Sequence, residues 1–171
     1  MRRRAARAFR HVRRRPGLRL VAGAAAMVLV AGASPVAGQS YREAARLYDG
    51  GELARAADIF RDLARDGHVA AQVSLAGLYA NGDLGAAANF AKAVHWYRQA
   101  ANAGDATAQM NLGAMLADGQ GVARDRVMAW VWLERAAAQG RDWAGRRADA
   151  LADRMTPAQR ERARERLAAG L

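Results

Sequence analysis

Residues 106–140 read ATAQMNLGAMLADGQGVARDRVMAWVWLERAAAQG, and this stretch decides the fold. Its first half carries Ala108, Leu112 and Leu116 at steps of four, one face of a helix. Gly119-Gln120-Gly121 then interrupts the pattern, because glycine loses the most backbone freedom in a helix. The second half sets Ala129, Trp132, Leu133, Ala136 and Ala137 at i, i+3, i+4, i+7 and i+8, an apolar stripe facing a core. Gly140 follows, where a helix C-terminus takes a residue that tolerates positive φ. Such a hairpin cannot bury its own Trp and Leu side chains, so it needs a neighbour.

The neighbour lies just upstream, in residues 69–104. Gln72 and Gln109 are 37 apart, as are Leu75 and Leu112, and Gly82 and Gly119. Trp96 and Trp132 are 36 apart, as are Ala93 and Ala129, Ala100 and Ala136, and Gly104 and Gly140. The change of one residue falls between the glycine loop and the second helix, so the length difference sits in a loop. A weaker copy precedes both: Ala56, Ile59, Phe60, Leu63 and Ala64 reproduce the stripe of Ala93, Trp96, Tyr97, Ala100 and Ala101. The spacing makes this a helical repeat protein.

These residues resemble the Sel-one-like repeats, longer-looped relatives of the tetratricopeptide repeats, whose own unit is about 34 residues. The family pattern falls on Ala108, Leu112, Gly113, Gly119, Gly121, Val122, Asp125, Ala129, Trp132, Ala136, Ala137 and Gly140, with Leu116 in place of a tyrosine. The copy before it keeps Ala71, Leu75, Tyr79, Gly82, Ala93, Trp96, Ala100, Ala101 and Gly104 but has Ala76 for the first-helix glycine and a different loop. The first copy matches only in its second helix. The resemblance covers about residues 41–140. It implies an all-α, right-handed superhelix of helical hairpins acting as a protein-interaction scaffold.

The chain opens with an arginine-rich start, an apolar run from Leu20 to Ala33 and small residues after it, the plan of an export signal. A run of 14 is short for a membrane span, which needs about 20 residues. Cleavage after Gly38, the choice made here, gives a leader of residues 1–38; cleavage after Ala33 also fits, with Ala31 and Ala33 as the small pair. Arg14-Arg15-Pro16-Gly17-Leu18 faintly resembles a twin-arginine signal, with Gly17 where a large apolar residue is usual. The expected location is periplasmic or envelope-associated, with an uncleaved membrane-anchored form as the alternative.

The leader also accounts for the charge. The whole chain is +11, yet residues 1–38 hold 9 arginines and no acids. The remaining 133 residues hold 18 basic and 16 acidic side chains, interspersed as on a solvated surface. Nucleic-acid binding asks for concentrated positive charge and is not expected. With no cysteine, no disulfide or lipid-anchored cysteine is available.

Taken in order, Ser40–Tyr48 and Glu52–Asp66 are the first two helices, and residues 41–67, 69–104 and 106–140 are the three repeats within 39–140. Asn89 and Asp125 stand four before the repeat alanine and are expected to cap second helices, worth about 1 kcal/mol each. Trp96 and Trp132 read as core. Arg141–Arg154 shows Trp143, Arg147, Leu151 and Met155 at steps of four. Thr156-Pro157-Ala158-Gln159 restarts a helix running to about Ala169, with an N-cap, a first-turn proline and a capping-box glutamine. Arg162–Glu165 and Glu161–Arg164 are spaced to pair. Residues 141–171 are therefore expected to form a capping hairpin with a polar outer face.

Catalytic chemistry leaves little trace. After residue 38 the histidines are His68 and His95, without metal-ligand spacing, and the serines are Ser40 and Ser74, outside any nucleophile-elbow motif. Asp62 and Asp66 sit beside Arg61 and Arg65, as on a solvated face. No enzyme, metal or cofactor is expected. The expected partner is a protein or peptide, with cell-wall glycan or a membrane complex as the runner-up and no membrane span once the leader is removed. The resemblance puts first helices on the concave surface, so the contact candidates are their non-core positions: Arg42, Arg46, Gln72, Ser74, Gln109 and Asn111.

Overall fold

The computed structural model describes residues 35–84 and 87–170, so the expected leader lies outside the described residues as far as residue 34. Among the described residues there are eight α-helices and no strand. They are α1 (Pro35–Asp49), α2 (Leu53–Arg65), α3 (Val69–Asn81), α4 (Phe90–Asn102), α5 (Ala106–Asp118), α6 (Arg126–Ala138), α7 (Asp142–Ala152) and α8 (Pro157–Ala168). Each helix packs on the next from α1 to α7, and the pairs α1–α2, α3–α4 and α5–α6 are the hairpins of a helical repeat solenoid. One expected boundary moves. The first helix starts at Pro35 rather than near Ser40, and Ala37, ahead of the favoured cleavage point, packs against the core.

The helix starts follow from local side chains. Asn89 Oδ1 accepts from Lys92 N at 3.0 Å, and Asp125 Oδ1 accepts from Met128 N at 3.0 Å, so both act as the spacing predicts. Asp105 does the same for α5, accepting from Ala108 N at 2.7 Å. At Thr156 the full capping box forms, with Gln159 N donating to Oγ1 and Thr156 N donating to the Gln159 carbonyl oxygen of the side chain.

Two apolar clusters run through the array. One joins α1, α2 and α3 around Ala44, Phe60, Leu63, Leu75 and Leu78, and the other runs from α3 to α8. Tyr79 and Trp96 pack against both, which makes the core continuous along the stack. Trp132 is buried, whereas its repeat mate Trp96 is half-buried. Close approach within the third hairpin depends on Gly113. A Cβ there would stand 2.8 Å from Leu133 Cγ and 3.1 Å from the Ala129 carbonyl oxygen.

The C-terminal part differs from expectation in two ways. The inward face of α7 is Ala144, Ala148 and Leu151, continued by Met155, and Trp143 is 44% exposed. Small side chains let α7 approach α6, so Leu151 and Met155 of the expected stripe face inward while Trp143 and Arg147 give way to Ala144 and Ala148. Trp143 instead lies under the Arg147 guanidinium, 5.4 Å from it, and Arg147 Nη2 donates to both carboxylate oxygens of Asp118 at 2.6 and 2.7 Å. Second, α7 and α8 each pack on α6 rather than chiefly on one another, so the last two helices are not a hairpin like the other three. Of the two expected ion pairs on α8, Glu161–Arg164 forms at 3.9 Å, and no Arg162–Glu165 pair is present.

Candidate functional site

Gln72 and Gln109 are not surface contacts. Each is only 4% exposed, and each reaches back across the repeat junction. Gln72 Nε2 donates to the Ala64 carbonyl oxygen at 3.1 Å, and Gln109 Nε2 donates to the Ala101 carbonyl oxygen at 3.2 Å. Both acceptors lie in the last turn of the preceding second helix, and each also accepts from the glycine that ends that turn, Ala64 from Gly67 N at 3.1 Å and Ala101 from Gly104 N at 3.0 Å. The repeat glutamine is thus a latch between consecutive hairpins. Its position one residue after the core Ala71 or Ala108 made it look exposed, yet it packs against the end of the preceding second helix. The copies differ at the other end of the amide. Gln109 Oε1 accepts from Gln139 Nε2 at 2.8 Å, whereas Gln72 Oε1 is buried without a partner. The repeat mate of Gln139 is Ala103, whose methyl group has nothing to donate.

The other candidates divide. Ser74 and Asn111 both line a groove of about 340 Å³ formed by α1, α3 and α5, with Phe60 of α2 and Tyr97 of α4 contributing from behind. They are repeat mates, and each meets a tyrosine from an earlier helix. Tyr41 Oη and Ser74 Oγ are 3.2 Å apart, and Asn111 is close enough to the Tyr97 hydroxyl to influence its titration. Burial raises the Tyr97 pKa, and Asn111 draws it partly back. Arg42 and Arg46 are exposed but lie outside this groove, because Tyr41, Ala45, Tyr48 and Asp49 form the face of α1 that borders it. The sequence reading therefore missed Tyr41 and Tyr48. Their spacing of seven, with Ala45 between, is a helical stripe and was the available signal.

The comparisons with known proteins agree with this geometry. The Sel1 repeat family matches residues 69–105 and 106–140, the second and third hairpins. A Sel1 repeat protein from Oxalobacter formigenes is 35% identical, superposes with a TM-score of 0.60, and is matched over 67% of this chain and 88% of its own. This chain belongs to the Sel1 repeat family. A protective antigen present in uropathogenic Escherichia coli strains, displaying an SLR fold, is 28% identical with a TM-score of 0.70 over 77% of this chain. The present chain spans only 29% of the length of that antigen. No curated protein matches the sequence. Sel1 repeats generally serve as protein-interaction scaffolds.

The two histidines of the Sel1 array make local contacts. His68 is the N-cap of α3: its Nδ1 accepts from Ala71 N at 3.2 Å, and its ring stacks on Tyr41 at 5.1 Å. It stands where Asp105 stands one repeat later. His95 bonds Gln99 at 2.9 Å on the exposed side of α4. Among the described residues no three His, Cys, Asp or Glu side chains converge as a metal site would require. Among them, too, no helix is long and apolar enough to cross a membrane.

Proposed function

We propose that this chain is an exported Sel1-repeat scaffold that holds an extended segment of a partner protein in the groove along α1, α3 and α5. The observation that carries the reading is the lining of that groove. Tyr41, Tyr48 and Tyr97 supply broad apolar contact with few rotatable bonds, and Ser74, Asn81, Thr107 and Asn111 supply hydrogen-bonding groups for a peptide backbone. Tyr48 is 41% exposed, so it has surface to bury on contact. The arginine-rich start and apolar run support delivery to the periplasm or envelope. A cut after Gly38 removes residues 35–38 of α1, which a cut after Ala33 keeps. That favours the Ala31/Ala33 site over the one after Gly38.

A photo-crosslinking residue at Tyr48, in cells carrying the full chain, should capture a discrete partner, and the same residue at Ala150 should not. Adding Ala45→Trp, which fills the groove, should abolish the capture. Equal capture from Ala150, or capture that survives A45W, overturns the groove as the binding site. The tyrosines also give the glycan reading one supporting observation, since sugar rings stack on exposed aromatic faces. Tyr48→Ala should then weaken retention on purified cell wall, and unchanged retention rejects it.

A further inference from the structure

The arginines interspersed along the sequence are sorted by the fold. A cavity of about 720 Å³ lies between the end of α4, the loop before α6, and α8, and it shares no lining residue with the groove. Arg98, Arg124, Arg126, Arg162 and Arg166 border it. Among the described residues none of these five makes an ion pair, although Arg55, Arg61, Arg65, Arg147 and Arg164 all do. Leu116, Trp132, Val127 and Met128 also line it, so arginines border a partly apolar surface. Its only acidic lining residue is Asp125, whose Oδ1 is already engaged by Met128 N.

We infer that this cavity is a second interaction site, one that takes an acidic peptide segment carrying an apolar side chain. Guanidinium groups match carboxylates through paired N–H donors, and five unpaired ones create a local positive field. Their distribution sets the kind of anion. They come from α4, the loop before α6, the first residue of α6, and α8, which suits several carboxylates along an extended chain. A compact phosphate is held by free backbone N–H groups at a helix N-terminus, and here Asp125 occupies that end of α6. The sequence alone concealed the site, because Arg98, Arg124 and Arg162 are far apart in the chain, and Arg124 and Arg162 stand beside acids in sequence.

The test is fluorescence anisotropy of the chain with a labelled twelve-residue peptide of Asp and Glu around one central Phe. Expected is saturable binding that weakens with salt and is lost about tenfold or more in Arg162→Glu/Arg166→Glu. Arg55→Glu/Arg65→Glu, with the same change of net charge on exposed positions, should stay within about twofold. Arg98→Gln, on α4, should also weaken binding, and it keeps the test decisive if the α8 variant fails to fold. A45W should bind the acidic peptide normally, so the groove and the cavity can fail separately. The inference is overturned by no binding, by equal loss in both charge-reversal pairs, by displacement of the peptide by millimolar inorganic phosphate, or by tighter binding of a single-stranded DNA of similar length.

Discussion

Replacing Gln109 by alanine tests the latch between hairpins. The side chain is 4% exposed and makes two bonds, donating to the Ala101 carbonyl at 3.2 Å and accepting from Gln139 at 2.8 Å. Each bond contributes about 1 kcal/mol net, and the Ala101 carbonyl keeps its bond from Gly104 N at 3.0 Å, so no further penalty arises there. Gln139 regains water, because its side chain is on the surface. The expected loss is about 2 kcal/mol. Gln72→Ala is the internal standard. It breaks the equivalent bond to Ala64, at 3.1 Å, but it also removes the orphaned Oε1, so its cost should be lower by about 1 kcal/mol. Urea melts followed by far-UV circular dichroism measure both. A Gln109→Ala loss below about 0.5 kcal/mol, as for a surface amide, would refute the latch. A larger loss at Gln72 would refute the role assigned to Gln139.

Ala103→Gln places a donor where Gln139 stands in the next repeat; it should stabilise by about 0.5–1 kcal/mol, and the gain should vanish when Gln72 is alanine, a coupling read from a double-mutant cycle. Gly121→Ala should cost well over the about 1–2 kcal/mol of a left-handed alanine, since its Cβ would fall 2.3 Å from the Phe90 carbonyl carbon; Gly140→Ala, with the same sign of φ and open space around it, should cost only the conformational part. Melts that rank the two equally would mean the loop does not rest on α4. Burial, with the Asp149 carboxylate adding to it, raises the Glu134 pKa, so the folded chain keeps this proton to higher pH than the unfolded chain does. Stability should therefore fall as pH rises from the ordinary carboxylate range toward neutrality, and Glu134→Gln should flatten that slope and be the more stable protein at neutral pH. A slope left unchanged in the variant would assign the pH dependence elsewhere.

Much of the fold was legible because repetition turns weak local signals into a pattern. Asn89, Asp125 and Thr156 cap helices through bonds that span only three residues, so sequence spacing alone places them. Trp132 was recognisable as core because its repeat position and its stripe agree. Positions of small or amphipathic residues were not legible in the same way. Ala144 and Ala148 carry the inner face of α7, but alanine has too little apolar surface to announce a face, and the eye follows Trp143 instead.

The sequence by itself therefore determined the hairpins, their order and most of their termini, since these depend on periodicity, glycine interruptions and short-range capping. Only the tertiary structure decided which polar side chains meet solvent. Gln72 and Gln109 are buried because each packs into the junction with the preceding second helix and gives a last-turn carbonyl a second donor, a contact that arises between hairpins and is invisible within one. The same holds for the arginines. Evenly scattered along the chain, five of them converge without carboxylate partners because α8 folds back onto α6 instead of pairing with α7.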